Sequence, residues 1–265
     1  MSVFLGGTTV YSGKFIEQKE WLVVGGGDGY IYVYSYESSD TLEEIECFKA
    51  HDGHHIMSLA VKPTQSFVLS ASDDRLIKLW DWAKGWECIR TFQGHYNKVT
   101  HVMFDPRDNN RFLSASLDRT VKIWNSDAAE CNITLHEHPD GVICLQYFSG
   151  DNRQLLIAGS SDGTAKIWDL ETESSVGLIQ GDGEQLNALF LHPELPVLIT
   201  GLHNGTVQIS KSTSTTAYRL ENIASFNLGA VKAVGHIKRL RRILVACDQG
   251  LAVLEMNVLL RAGLG

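Results

Sequence analysis

A segment of about twelve residues returns three times at a constant interval in this chain of 265 residues. It reads Ser-Ala-Ser-Asp-Asp-Arg-Leu-Ile-Lys-Leu-Trp-Asp at 70–81, Ser-Ala-Ser-Leu-Asp-Arg-Thr-Val-Lys-Ile-Trp-Asn at 114–125, and Ala-Gly-Ser-Ser-Asp-Gly-Thr-Ala-Lys-Ile-Trp-Asp at 158–169. The tryptophans Trp80, Trp124 and Trp168 are 44 residues apart, and six residues before each stands an aspartate, Asp74, Asp118 or Asp162. Weaker copies put Asp28 and Tyr34, Asn204 and Ser210, and Asp248 and Leu254 in the same two slots. The turn positions 28, 74, 118, 162, 204 and 248 thus recur every 42 to 46 residues. A unit of this size buries its apolar face only against a copy of itself, so the period constrains the fold more than any local propensity does. Six copies account for nearly the whole chain, which predicts a single domain over 1–265.

Within each period the pattern is that of strands. Phe67-Val-Leu-Ser-Ala-Ser72 reads as a buried strand, a short turn follows, and Leu76-Ile-Lys-Leu-Trp80 alternates. Asp or Asn with Gly in the turn points to residues that tolerate positive φ. A third strand, Cys88–Phe92, ends at Gly94-His95, and the next begins near Val99. No segment has a convincing helical period. Four strands in about 44 residues, opened by Gly-His and closed by Trp-Asp, resemble the WD40 repeat. The predicted fold is therefore all-β: a WD40 β-propeller of six blades, each of four antiparallel strands. Because an unpaired blade edge is adhesive, the amino-terminal strand Ser2–Leu5 is expected to complete the last blade. Val258–Arg261 is the other candidate for that strand, and an incomplete seven-blade ring is the alternative architecture.

Composition removes several function classes. A net charge of −8, from 31 acids and 23 bases, disfavours phosphate-backbone binding, so no nucleic-acid partner is expected. No stretch approaches the length of a membrane span, and the start does not read as a secretory signal, so direct membrane insertion is not expected either. Five dispersed cysteines without a CxxC read as reduced thiols of a cytosolic protein.

Several constellations look chemical. His95, Ser114 and Asp118 have the residue types of a hydrolase triad, but the same types recur with a tryptophan in neighbouring repeats. His51, Ser70, Asp74 and Trp80 form one set, and His95, Ser114, Asp118 and Trp124 a second. A nucleophile has no reason to be copied once per repeat, and no GxSxG turn is present. These sets are read as structural hydrogen-bond networks. The fourth blade keeps His138, Asp162 and Trp168 but has Ala158 in the serine slot, and the fifth blade, with Asp182, Asn204 and Ser210, is further degraded. No catalytic residue is assigned. His51-Asp-Gly-His54-His55 has the look of a metal cluster but coincides with the loop opening a blade, so no metal site is assigned. Gly25-Gly-Gly-Asp-Gly29 lies between strands and reads as a turn, not a phosphate loop. Lys238-Arg-Leu-Arg-Arg242 is read as a solvated link, with contact to acidic partner residues the other reading. Trp82 and Trp86 straddle a loop, and either both pack locally or one is an exposed interface anchor.

Longer strings are more specific. Leu76-Ile-Lys-Leu-Trp-Asp-Trp-Ala-Lys-Gly-Trp86, Phe104-Asp-Pro-Arg-Asp-Asn109, Ala115-Ser-Leu-Asp-Arg-Thr-Val-Lys-Ile-Trp124, Phe190-Leu-His-Pro-Glu-Leu-Pro196 and Tyr218-Arg-Leu-Glu-Asn222 resemble the amino-terminal propeller of the coatomer β′ subunit. The resemblance runs from about Tyr11 to Glu255. It implies a subunit of the coat on Golgi-derived vesicles whose propeller face holds the dilysine tails of membrane cargo, with acidic side chains for the lysines and basic ones for the terminal carboxylate. Of those positions Asp73 is kept. Tyr11 and Met57 stand where basic residues are expected, and His54 where an acid is expected. The first propeller of that family has seven blades, so the resemblance implies a propeller shortened by about one blade, without the rest of the subunit.

The reading that follows is a non-enzymatic protein- or peptide-binding scaffold in Golgi–ER coat trafficking, with its dilysine site degraded. The alternative is a divergent WD40 scaffold that no longer acts in the coat and binds another protein. Turn-side loops at Asp73, Leu117, Ser161 and His203, with His54, Met57 and Tyr11, are the expected binding face. Partners are expected to be proteins or peptides, including other coatomer subunits or cargo tails. No cofactor is expected, and the expected location is cytoplasmic, peripheral on Golgi or vesicle membranes.

Overall fold

The computed structural model describes residues 8–37, 41–62, 64–136, 138–150, 153–180, 183–192, 197–212, 220–237 and 242–255. Regular structure among them is almost wholly β, broken by single 3-10 turns at Glu17–Lys19 and Trp82–Lys84. The residues group into two compact units, 1–136 and 137–265.

The first unit holds three antiparallel sheets of four strands, each in simple up-and-down order. They are β1 (Val10–Ile16), β2 (Trp21–Gly26), β3 (Tyr30–Ser35) and β4 (Glu43–Lys49); β5 (Ile56–Val61), β6 (Phe67–Ser72), β7 (Ile77–Asp81) and β8 (Glu87–Phe92); and β9 (Val99–Phe104), β10 (Arg111–Ser116), β11 (Val121–Asn125) and β12 (Cys131–Leu135). The second unit holds β13 (Val142–Gly150), β14 (Arg153–Ser160), β15 (Ala165–Asp169) and β16 (Ser174–Ile179), then β17 (Leu186–Leu191), β18 (Val197–Leu202), β19 (Thr206–Ser212) and β20 (Leu220–Asn227). Its last sheet has three strands among the described residues, β21 (Val231–Ile237), β22 (Arg242–Cys247) and β23 (Gly250–Glu255). The fold class is an all-β propeller of six blades, as the period predicted. Both segments expected to close the last blade, Ser2–Leu5 and Val258–Arg261, lie outside the described residues, as do Asp182 and Lys238–Arg241.

The core lies between successive sheets. Val33, Ile31 and Val23 of the first sheet pack with Leu59, Val68 and Trp80 of the second. Ile77, Leu79 and Phe92 of the second meet Val99, Phe112 and Trp124 of the third. In the other unit Ile157 and Ile167 pack with Leu186 and Leu198, and Ile199 and Ile209 with Val231 and Ile243. Each fully buried side chain of this size contributes roughly 1.5–3 kcal/mol. Trp82 and Trp86 are both buried, with Trp86 against Trp21 and Phe48. The reading of either as an exposed anchor is thereby corrected: both pack into the core shared by the first and second sheets.

The turns explain the recurring aspartate. In five sheets its side chain accepts the backbone N–H two residues on: Tyr30 to Asp28, Leu76 to Asp74, Thr120 to Asp118, Thr164 to Asp162 and Thr206 to Asn204. The residue at positive φ is the next one, Gly29, Arg75, Arg119, Gly163 or Gly205. Asp and Asn therefore serve as acceptors that fix the turn, not as carriers of positive φ. The last sheet departs from this pattern. Cys247 pairs directly with Gly250, so its turn is shorter and Asp248 does not occupy the aspartate slot.

Every innermost strand carries a bulge at the same place. In the register of β1, β5 and β9 the extra residues are Tyr11, Met57 and Thr100. In β13, β17 and β21 they are Ile143, Asn187 and Lys232. A bulge re-aims its side chain and sharpens strand twist, so this series places one special residue at the loop end of each sheet.

Candidate binding face of the first unit

The histidine, serine and aspartate sets are closed within single sheets. In the third sheet Trp124 Nε1 donates to Ser114 Oγ at 2.8 Å, Ser114 Oγ lies 2.7 Å from His95 Nε2, and His95 Nδ1 lies 2.7 Å from Asp118 Oδ2. Indole N–H can only donate. The chain of donors therefore runs from Trp124 through Ser114 and a neutral His95 to the carboxylate. Burial draws His95 below the usual histidine value, against the opposing pull of Asp118. Burial alone would raise the Asp118 carboxyl, but hydrogen bonds from His95 and Thr120 hold it well below the carboxylate range. The second sheet repeats the geometry, with Trp80 to Ser70 at 2.9 Å, Ser70 to His51 at 2.8 Å and His51 to Asp74 at 2.6 Å. The connectivity is that of a hydrolase triad, yet Ser114 and Ser70 are fully buried and each hydroxyl is committed on both sides. Neither serine can be reached by a substrate.

The fourth sheet differs. Ala158 supplies no hydroxyl, and Trp168 Nε1 donates straight to His138 Nε2 at 3.3 Å. His138 Nδ1 is buried without a hydrogen-bond partner, so the structure does not join His138 to Asp162. Burial, reinforced by Lys166, pushes the His138 imidazole down to about 4.

What remains exposed are the loops at the bulged ends of the sheets. In the first unit Asp73, at the end of the β6 hairpin, is almost buried, and three basic side chains surround it. His54 Nδ1 stands 3.3 Å from Oδ1, His55 Nδ1 3.3 Å from Oδ2, and Lys98 Nζ 3.6 Å from Oδ2. The Tyr11 ring leans on His55, with centroids 5.2 Å apart. Main-chain clamps hold the arrangement: Asp73 N–H donates to His55 O at 3.1 Å and Leu117 N–H to Lys98 O at 3.0 Å. The same clamp ties Ser161 to Gly141 O and His203 to Gln185 O in the second unit.

The structure thus brings Tyr11, His54 and Asp73 into one cluster and links Leu117 to it through Lys98. Met57 is the bulge residue of β5, and Ser161 and His203 occupy equivalent positions in the second unit. The His51–His55 run does not gather as a ligand set, because His51 turns inward to Asp74 while His54 and His55 reach Asp73. Among the described residues no group of three or more His, Cys, Asp or Glu is arranged to hold a metal ion. Lys98 was not singled out from the sequence. Its place just before β9 is the one signal that could have found it.

The WD40 family, described as "WD domain, G-beta repeat", matches residues 42–81, 86–125 and 129–169. These are WD40 repeats. Over 178 residues the WD40 chain is 47% identical to coatomer subunit beta'-1 of Arabidopsis thaliana, covering 67% of this chain and 19% of that one. It is 39% identical over 178 residues to coatomer subunit beta' of Rattus norvegicus, with the same shares. Identity to the probable coatomer subunit beta' of Schizosaccharomyces pombe is 34% over 172 residues, 65% of this chain and 21% of that one. The WD40 chain is therefore homologous to coatomer beta' over about two thirds of its length and spans about a fifth of the length of these relatives. No helix among its described residues is long and apolar enough to cross a membrane.

Proposed function

We propose that the chain is a single-domain, non-enzymatic scaffold that binds proteins or peptides through the loops at the bulged sheet ends. In this reading it works with other coatomer subunits on the cytoplasmic surface of Golgi or vesicle membranes. The observation that carries the binding role is the division of polar groups. Histidine, serine and aspartate types that could do chemistry are sealed inside the sheets, while the exposed loops carry a rigid, clamped set of polar side chains. Homology to coatomer beta' supports the coat setting.

A dilysine tail is not the proposed ligand. Asp73 already has His54, His55 and Lys98 within 3.3 to 3.6 Å, so an incoming ammonium group must displace them. At the positions where the resemblance called for bases, Tyr11 and Met57 offer no charge to a terminal carboxylate. A site without charge-assisted partners loses most of its affinity for such a peptide.

Two measurements test the proposal. Calorimetric titration with a dilysine tail peptide should give no saturable heat up to high micromolar peptide; saturable binding would show the inherited pocket intact. Affinity purification of the tagged chain from cells should recover other coatomer subunits. Their absence, with the chain soluble and folded, would move it to a scaffold outside the coat.

A further inference from the structure

The turns between the second and third strands of the first three sheets are built alike, yet they differ at one place. In each, the fourth residue donates its N–H to the carbonyl of the first: Gly29 to Gly26, Arg75 to Ser72 and Arg119 to Ser116. All three residues have positive φ, +84° at Gly29, +73° at Arg75 and +70° at Arg119. At Gly29 a β-carbon would run into the carbonyl oxygen of His51, so glycine is required there. The two arginines adopt the same left-handed backbone at a conformational cost that glycine avoids. Both are exposed, and neither has an acidic partner among the described residues.

Between these turns in sequence lies the loop before β9, which carries Tyr96. Its side chain is 85% exposed, the most of any large apolar residue described. The backbone beneath it is fixed nonetheless. Tyr96 N–H donates to Asp118 Oδ2 at 3.0 Å, and Ser116 Oγ donates to Asn97 O at 3.1 Å. The loop held by these bonds presents a bare tyrosine next to the turn that carries Arg119, and tyrosine and arginine are the residue types enriched in interface hot spots.

Charge selects the partner. On these loops Asp74 bonds His51 and Asp118 bonds His95, while Asp73, whose Oδ1 is buried without a hydrogen bond, has His54, His55 and Lys98 within 3.3 to 3.6 Å. Among the described residues of the first unit, the other acids on the turn-side loops are Asp28, which accepts from Tyr30 and Tyr32, and Asp52, paired with Lys49. Free guanidinium groups project from a chain whose net charge is −8. We infer that Arg75, Arg119 and Tyr96 form a docking surface for an Asp/Glu-rich segment of a partner protein, the guanidinium forks taking carboxylates and the tyrosine ring covering the adjoining side chain. This rests on the scaffold reading and specifies the chemistry of its partner.

The test is fluorescence anisotropy of the full chain with a labelled glutamate-rich peptide, the same peptide with every Glu replaced by Gln, and a phosphoserine peptide of equal charge. The expected result is saturable binding of the glutamate peptide at least tenfold tighter than the Gln peptide, weakened by salt. Arg75→Gly and Arg119→Gly should each reduce affinity about fivefold to tenfold without lowering the melting temperature, since glycine suits that backbone. Tyr96→Ala should act similarly. Equal binding of the Glu and Gln peptides, preference for the phosphopeptide, or full affinity in the double arginine variant would overturn the assignment. If coatomer subunits still co-purify with that double variant while the peptide does not bind, only the acidic surface fails and the scaffold reading stands.

Discussion

The third and fourth sheets share the Asp-x-Thr-x-Lys-Ile-Trp run of turn and third strand, at 118–124 and 162–168, and settle their buried polar groups differently. In the third, Ser114 stands between Trp124 and His95, so the imidazole reaches Asp118 with Nδ1 and each donor of that chain has an acceptor. In the fourth, Ala158 removes the intermediary. Trp168 takes His138 Nε2 for itself, and Nδ1–H is left buried and unpaired. An unsatisfied buried donor costs about 1–3 kcal/mol. One missing oxygen thus turns a closed network into a strained one while the strands, the turn and the tryptophan stay in place. Repeat architecture tolerates this because each sheet needs only to pack against its neighbours.

The sharpest way to break the comparison is to remove the aspartate from each sheet. Asp118→Ala deprives His95 Nδ1, Thr120 and Tyr96 N–H of their acceptor and should cost about 3 kcal/mol in urea unfolding. Asp162→Ala, which removes the turn contacts to Thr164 but no hydrogen bond to His138, should cost about 1 kcal/mol. Equal losses would mean that the His138 network is closed after all.

Acid separates the two sheets next. The unfolded chain takes up a proton at His138 near the ordinary value of 6.5, whereas the folded sheet refuses it until about pH 4. This contribution is therefore complete above pH 6.5 and falls away between there and pH 4, amounting to at most about 3 kcal/mol. His138→Gln should flatten that part of the stability profile relative to the unaltered chain. Unchanged curvature across the window would refute the assignment.

The smallest expected effect is a gain. Ala158→Ser restores the hydroxyl position that Ser114 fills in the third sheet and should stabilise by about 1 kcal/mol through the bridge from Trp168 to His138. A loss of stability would show that the fourth sheet has closed around alanine and has no room for the oxygen.

Much of this molecule could be read from its residues. The spacing of Trp80, Trp124 and Trp168 announced the sheets, and alternation along Leu76–Trp80 placed their strands, because both signals depend on which face a side chain presents within one strand. The networks of His51 and His95 were legible for the same reason: all four members lie in one repeat. The role of the turn aspartate was not, since residue type alone does not distinguish an acceptor from a carrier of positive φ. Tyr11 and Met57 were noticed through family resemblance, but nothing in their neighbourhood marked them as bulges, which arise from the register of a strand against its partner. Arg75 and Arg119 carry no sequence signal of their left-handed backbone, which matches that of Gly29.

The sequence by itself determined the unit: its length, its four strands, its apolar faces and the polar chain that ties its ends together, all set by contacts within about 44 residues. Tertiary structure decided what the unit presents. Lys98 meets Asp73 from a neighbouring sheet, His54 and His55 close on the same carboxylate, and two arginines stand out where the matching turn of the first sheet has glycine. Those outcomes depend on how one sheet's loops meet the next, and a repeat that specifies its own interior leaves such encounters to packing.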